Sequence, residues 1–148
     1  MKVRSQGFTL IELVVVITIL GILAAFAIPR FAGLETSARI ASINGLAGSV
    51  RAAAALAHSV ALVKGNAATD PVTLEGQVVT MEEFYPTADE AGIVAALQEG
   101  VSNTYDTSAD DGSFLLIGAP TPANCSVTYS AAPAGGSPSV PLPDTTGC

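Results

Sequence analysis

The side chains of this chain that could perform chemistry are few and scattered. His58 is the only histidine among 148 residues, so the sequence cannot supply a Ser-His-Asp triad or a histidine-containing cluster of zinc ligands around it. No glycine-rich motif of the phosphate-binding type occurs either. This inventory predicts a protein that is not an enzyme and that binds no cofactor, and His58 itself is expected to be an ordinary helix residue.

The segment from Asp106 to Gly112 is the candidate for metal ligation. Oxygen-bearing side chains occupy its first, third and fifth positions, as in a calcium loop. The glycine comes one place late, however, and Ile117 stands at the twelfth position, where a bidentate Glu is required. A polar turn that leads into a strand at Phe114 explains the same residues, so we expect no metal site here.

Glu12 is the most unusual acidic residue, because it is the only charged residue in the apolar run from Phe8 to Ile28. As a helix this run would be about 31 Å long, which matches the hydrocarbon core of a bilayer. Lys2 and Arg4 precede it without an acid among the first seven residues, which favours a cytoplasmic N-terminus and an exported C-terminus.

Three explanations of this N-terminus compete. A signal peptide could be cut after Ala27, but the helical periodicity continues past that residue. A plain membrane anchor explains the length but not the carboxylate, which costs up to about 3 kcal/mol at mid-bilayer depth. Cleavage between Gly7 and Phe8 explains the acid, since the new amino group would lie one helical turn from Glu12 and could be neutralised by it, in the same chain or in a neighbour.

The charge balance excludes nucleic acid as the main ligand. The chain has 6 basic and 13 acidic residues, and removal of residues 1–7 would leave 4 basic residues against the same 13 acids. Such a surface repels phosphate backbones. Beside an export-type N-terminus, the two cysteines, Cys125 and Cys148, favour one disulfide in an oxidising compartment over two unrelated thiols.

The stretch Gly-Phe-Thr-Leu-Ile-Glu-Leu from Gly7 to Leu13, with its basic leader and with Pro29 in the helix, resembles type IV pilins. The resemblance implies cleavage after Gly7 by a prepilin peptidase, N-methylation of Phe8 and a role for Glu12 in subunit registration. It also implies that the helix around Pro29 can unwind during assembly, whereas proline chemistry alone predicts a kink or loosening there.

The elements that must position these residues begin with one long helix, predicted over residues 8–63. Its second half carries apolar residues at spacings of three and four, and Gly65 and Asn66 end it. A hairpin or strand-like loop is predicted around Glu75-Gly76 and a short helix near 88–98, with a capping box at Thr87 and a stop at Gly100. The best strands are 113–117 and 126–129, and the disulfide is expected to hold the Pro-rich tail.

The expected fold is therefore α+β, a long protruding N-terminal helix and a small head with an antiparallel sheet, as in type IV pilins. The expected divisions are a leader at 1–7, a transmembrane and filament-core helix at 8–29, and an exported head at 30–148. The ordered weak motifs of the second half, such as Cys125-Ser126-Val127-Thr128-Tyr129, resemble the mannose-sensitive haemagglutinin group of pilins.

The resemblance implies a major structural subunit of an extracellular pilus that serves surface attachment. Its partners would be copies of itself, the prepilin peptidase and methyltransferase, the inner-membrane assembly machinery and a surface polysaccharide. It would lie in the inner membrane first and in the pilus later. Two alternatives are a pseudopilin of type II secretion, a class that binds calcium near its C-terminus, and a membrane-anchored binding protein that never polymerises.

Overall fold

The computed structural model describes residues 7–97 and 101–148, which fall into two compact units: one extends up to Ser37 and the other covers Ala38–Cys148. The basic leader with Lys2 and Arg4, and the helix stop predicted at Gly100, lie outside the described residues. The α+β fold class is confirmed, because a long N-terminal apolar helix is followed by a small head of antiparallel strands.

Helix α1 runs from Leu10 to Lys64 and contributes to both units. In the first unit its stretch Leu10–Ala27 has a mean hydropathy of 2.7, and none of it is buried within the chain. By length and composition this stretch and a second one, Gly33–Lys64, could each cross a membrane. The second stretch is partly buried within the chain, as expected of a helix that forms the core of a globular unit.

In the second unit the C-terminal half of α1 supplies one wall of the core. Ile43, Val50 and Ala57 are fully buried, and the intervening alanines let other elements approach closely. The helix ends in a Schellman motif: the Asn66 N–H donates to the Ala61 carbonyl, and the N–H of Gly65, which has φ +66°, donates to the Leu62 carbonyl. The predicted helix end is confirmed.

Within the described residues, the head contains three small antiparallel sheets. Strands β1 (Val72–Leu74) and β2 (Gln77–Val79) form the predicted hairpin, with a turn at Glu75 and Gly76, both of which have positive φ. Strands β3 (Met81–Glu82) and β4 (Tyr85–Pro86) form a second hairpin. The third sheet has the order β5-β6-β7, with β5 at Tyr105–Asp106, β6 at Ser113–Leu116 and β7 at Ser126–Thr128.

The helix predicted near 88–98 is present as a π-helical turn, Glu90–Val94, and a further short helix, α2, covers Val101–Thr104. The capping box predicted at Thr87 is wrong. The cap is Asp89, whose Oδ1 accepts from the Gly92 N–H at 2.7 Å, while the Thr87 hydroxyl donates to that same oxygen at 2.8 Å. Thr87 therefore supports the cap and does not itself cap the helix.

Tyr129 joins the sheets to the second hairpin at the centre of the core. It is completely buried, and its hydroxyl donates to the Pro86 carbonyl at 2.7 Å. Burial, with a smaller contribution from the charge of Tyr85, raises the pKa of the Tyr129 hydroxyl far above its usual value. The phenol is therefore neutral at any physiological pH and acts as a structural donor.

Cys125 and Cys148 form the predicted disulfide, with 4.9 Å between their Cα atoms. The expectation that this bond alone holds the tail is incomplete. Backbone bridges join Ser126 to Asp144 and Ser130 to Ser139, and Arg39 Nη1 donates to the Cys148 carbonyl at 2.9 Å. The Pro-rich tail is thus tied to the head at several points.

Replacement of Cys148 by Ser should lower the free energy of unfolding of the head by about 3 kcal/mol, since the closed loop of the unfolded chain is lost. Thermal unfolding of the full-length protein in detergent micelles measures this change, and limited proteolysis should show faster cleavage within residues 131–147. Thr146→Ala, which loses one hydroxyl bond to Asp144 in the same loop, is the matched control and should change stability far less. Unaltered unfolding and protease resistance in Cys148→Ser would refute a stabilising disulfide.

Candidate functional site

The candidate site is the start of α1, where Gly7, Phe8 and Thr9 precede the first helical residue, Leu10. These three residues are exposed and have no regular secondary structure, and the Phe8 side chain is 86% exposed. An exposed, non-helical peptide bond is the kind that a peptidase can bind and cut. The Gly7–Phe8 bond is therefore accessible in the uncut chain.

Thr9 and Glu12 form a capping box at this helix start. The Thr9 backbone N–H and hydroxyl both donate to Glu12 Oε2, at 2.9 and 2.6 Å, and the Glu12 N–H donates back to Thr9 Oγ1 at 3.3 Å. The sequence-based prediction for Glu12 was a partner for an amine, and its role as a helix cap was not predicted. The signal was present, because Thr-x-x-Glu before an apolar run is the pattern of a capping box.

The capping box fixes where the Glu12 carboxylate lies before any partner arrives. Oε2 accepts both Thr9 bonds, whereas Oε1 has no hydrogen-bond partner among residues 7–97 and 101–148. The carboxylate is fully exposed in the single chain, so water can solvate its free oxygen. Glu12 can therefore hold the helix start and still offer one oxygen to a second donor.

The apolar side chains around Glu12 are not buried by any other part of the described chain. Burial of one such Leu, Ile, Val or Phe side chain contributes about 1.5–3 kcal/mol, so the exposed surface must be covered by lipid or by other protein chains. The large apolar residues that are more than half exposed in this segment are Leu10, Ile11, Leu13, Ile17, Ile19, Leu20, Ile22, Leu23 and Phe26.

The Asp106–Gly112 segment behaves as a set of turns. Asp106 Oδ1 accepts from the Ser108 N–H, Asp110 Oδ1 from the Glu90 N–H and Asp111 Oδ1 from the Ser113 N–H, at 2.7–3.0 Å. The hydroxyl and the N–H of Ser108 hold the pKa of Asp106 below its usual value. No group of three or more metal-ligating side chains occurs within the part of the chain that the structure describes.

His58 lies in the second unit, half-buried against the β3–β4 hairpin. Helix α1 continues through Pro29, and the kink predicted at that residue stays a prediction. The structure thus brings Gly7, Phe8 and Glu12 together at one helix start and places Cys125 with Cys148 in the head.

Comparisons with known proteins agree with this geometry. Residues 2–28 match the family model of the prokaryotic N-terminal methylation motif. The type IV narrow pilus major component PilA5 of Thermus thermophilus is 52% identical over 54 residues, which are 36% of this chain and 47% of that protein. A type IV major fimbrial protein FimA of Dichelobacter nodosus is 32% identical over 127 residues, 80% of this chain and 79% of the relative. No solved structure matches the chain.

An exposed apolar helix that begins at a methylation motif defines the class of proteins with a prepilin-type N-terminus. Within that class, the similarity to FimA extends over most of both chains. The chain therefore belongs to the type IV pilin family. The match to PilA5 spans about half the length of that relative and is confined to about a third of this chain.

Replacement of Thr9 by Ala should remove the cap and destabilise the start of α1 by about 1 kcal/mol. Amide hydrogen exchange of the full-length protein in micelles should then be several-fold faster for residues 10–13. Thr9→Ser keeps the hydroxyl and should restore protection. Thr18→Ala is the matched control, since the Thr18 hydroxyl donates only to the Val14 carbonyl within the helix. Equal protection in Thr9→Ala and the unmodified protein would show that the box contributes nothing.

Proposed function

We propose that this protein is the major subunit of an extracellular type IV pilus and that it polymerises through its N-terminal helix. One observation carries the proposal: an apolar helix with no internal burial, Leu10–Ala27, begins at an accessible Gly7–Phe8 bond and contains a single acid, Glu12. The relatives named as major pilus and fimbrial components support it.

The proposed mechanism begins with cleavage between Gly7 and Phe8 by a prepilin peptidase. Cleavage converts an uncharged peptide nitrogen into the amino group of Phe8, which is then N-methylated and remains positively charged. Two residues with opposite charges now stand at the same helix start. An amine at a helix N-terminus opposes the macrodipole, so pairing with Glu12 stabilises both.

Assembly then removes the apolar helix from lipid. Helices of neighbouring subunits pack against each other in the filament, and Glu12 of one subunit pairs with the Phe8 amine of the next. The capping box supports this step, because Thr9 leaves Oε1 of Glu12 available while it orients the carboxylate. A misplaced subunit would leave the two charges unpaired in an apolar core, which is strongly disfavoured, and this penalty sets the register.

The proposed localisation follows from the same segment. Before assembly the helix anchors the protein in the inner membrane with its N-terminus in the cytoplasm, as the basic residues Lys2 and Arg4 favour. Residues 1–7 would be the leader, 8–29 the filament-core helix and 30–148 the exported head. The proposal also includes two partners, the inner-membrane assembly machinery and a surface polysaccharide receptor. It further includes membership of the mannose-sensitive haemagglutinin group and local melting of the helix at Pro29.

Two other functions explain less of the molecule. A type II secretion pseudopilin would be supported by calcium binding in the head, but residues 7–97 and 101–148 contain no group of three or more His, Cys, Asp or Glu side chains that could hold a metal ion. A membrane-anchored binding protein that never polymerises would use Glu12 only as a helix cap and would leave the charge of its carboxylate without a partner in the lipid. The pilus subunit accounts for both features.

Replacement of Glu12 by Gln should leave membrane insertion intact and reduce surface filaments to a few per cent or less, because the neighbouring Phe8 amine would lose its partner. Electron microscopy of sheared surface material measures the filaments, and membrane fractionation measures insertion. Glu75→Gln, which removes the same charge from the exposed tip of the β1–β2 hairpin, is the matched control and should form normal filaments. Abundant pili formed by Glu12→Gln would refute the proposed role of Glu12 in subunit registration.

A further inference from the structure

A half-open groove of about 390 Å³ lies in the second unit. Its three sides come from α1, from the β3–β4 hairpin and from the Pro-rich tail. Its lining combines a cation, an aromatic pair, hydroxyls and apolar surface, which are the ingredients of a small-ligand site. The lining residues used below are Arg51, Ala55, His58, Tyr85, Pro138 and Val140.

Arg51 is the charged group of the groove. Its Nη2 donates to the carbonyls of Val140 and Pro141, at 2.9 and 3.3 Å, and both of these acceptors are uncharged. No carboxylate of residues 7–97 or 101–148 pairs with it, although the whole chain has a net charge of −7. The two backbone bonds orient the guanidinium and leave its Nε and Nη1 donors for an anion.

His58 and Tyr85 form the aromatic side of the groove. Their rings stack in parallel, with centroids 4.1 Å apart and 2° between the planes. His58 Nδ1 lies 3.0 Å from the Phe84 carbonyl, and because a carbonyl can only accept, Nδ1 carries the proton. In the neutral ring Nε2 is therefore an acceptor, and it has no partner within the described part of the chain.

The tail side of the groove is held in place. Ser130 and Ser139 exchange two backbone hydrogen bonds of 2.8 and 3.0 Å, just beside Pro138 and Val140. The Gly135 N–H also donates to Glu83 Oε2 at 3.0 Å, which ties the tail to the turn of the β3–β4 hairpin. The groove is thus formed before a ligand arrives, so binding requires little ordering of the chain.

We propose that this groove binds a compact acidic saccharide, a hydroxylated ring that carries a carboxylate, of the uronic acid type. The carboxylate fits the free donors of Arg51, and a ring hydroxyl can donate to His58 Nε2. The C–H face of the ring would cover the apolar surface of Ala55, Pro138 and Val140. Arg51, a cation without a carboxylate partner in an acidic protein, is the feature that selects an anion over a neutral sugar. Binding in this groove does not depend on polymerisation of the protein.

Saturation-transfer NMR on the full-length protein in detergent micelles tests this proposal, with sodium glucuronate, glucose and sodium acetate as separate probes. Saturation should pass to the ring protons of glucuronate and not to glucose, and acetate should compete weakly with glucuronate. Arg51→Gln should raise the glucuronate Kd about tenfold or more, as expected for a lost charge-assisted pair. Arg51→Lys keeps the charge without the planar fork and should bind with intermediate affinity.

Lys64→Gln is the matched control, since it removes the same charge from α1 about 20 Å further along the helix, and it should leave the glucuronate Kd unchanged. Equal transfer to glucose and glucuronate, or an unchanged Kd in Arg51→Gln, would overturn the proposal. An absence of transfer to glucuronate would overturn it as well. Spectral changes at the groove that depend on protein concentration alone would also overturn it, because they would assign the groove to a second copy of the chain. Filament formation by Arg51→Gln is measured separately by electron microscopy. This measurement distinguishes failure of the saccharide proposal from failure of the proposed pilus function.

Discussion

The structure depends on one constraint: the carboxylate of Glu12 must be satisfied at the start of a helix whose apolar surface is entirely unpaired. None of the stretch Leu10–Ala27 is buried within the chain, so the chain alone cannot complete its own structure there. Lipid can cover the apolar side chains but cannot neutralise the carboxylate, whereas in the proposed assembly a neighbouring subunit with a free Phe8 amine would do both. In the proposed mechanism, this difference favours transfer of the helix from the membrane into the polymer.

The capping box adds a second function to the same carboxylate. In the uncut chain Glu12 receives the backbone N–H and the hydroxyl of Thr9, which starts the helix directly after the Gly7–Phe8 bond. The helix therefore begins just beyond the peptide bond that a peptidase must reach. Under the proposed cleavage, the arrangement that exposes the Gly7–Phe8 bond would also orient the Glu12 carboxylate for the new Phe8 amine.

Much of the fold could be predicted from the sequence, because the sequence signals for its elements are local and strongly periodic. The long helix, its end at Gly65 and the β1–β2 hairpin followed from apolar spacing and turn residues, and all three are confirmed. The two-residue strands β3, β4 and β5 could not be predicted, since so short a strand shows no alternation. The cap at Asp89 was missed because Thr87, which fits the same motif, is engaged by tertiary bonds.

The site was predictable in its residues but not in its contacts. Gly7, Phe8 and Glu12 were identified by their motif. The bonds between Thr9 and Glu12 were not predicted, because pairing with the amine that cleavage would create already explained the isolated acid. The Arg51 groove could not have been found from the sequence, since it joins α1 to a hairpin and to a tail about ninety residues later in the chain. Long-range placement of this kind requires the folded structure.

A cryo-electron microscopy map of filaments sheared from the cell surface tests the central claim most directly. The account predicts a chain that starts at Phe8, with a carboxylate oxygen of Glu12 within about 3 Å of the Phe8 amino nitrogen of an adjacent subunit. A chain that starts near Ile28, or a Glu12 that bonds only to its own Thr9 while the neighbouring amine lies elsewhere, would contradict it.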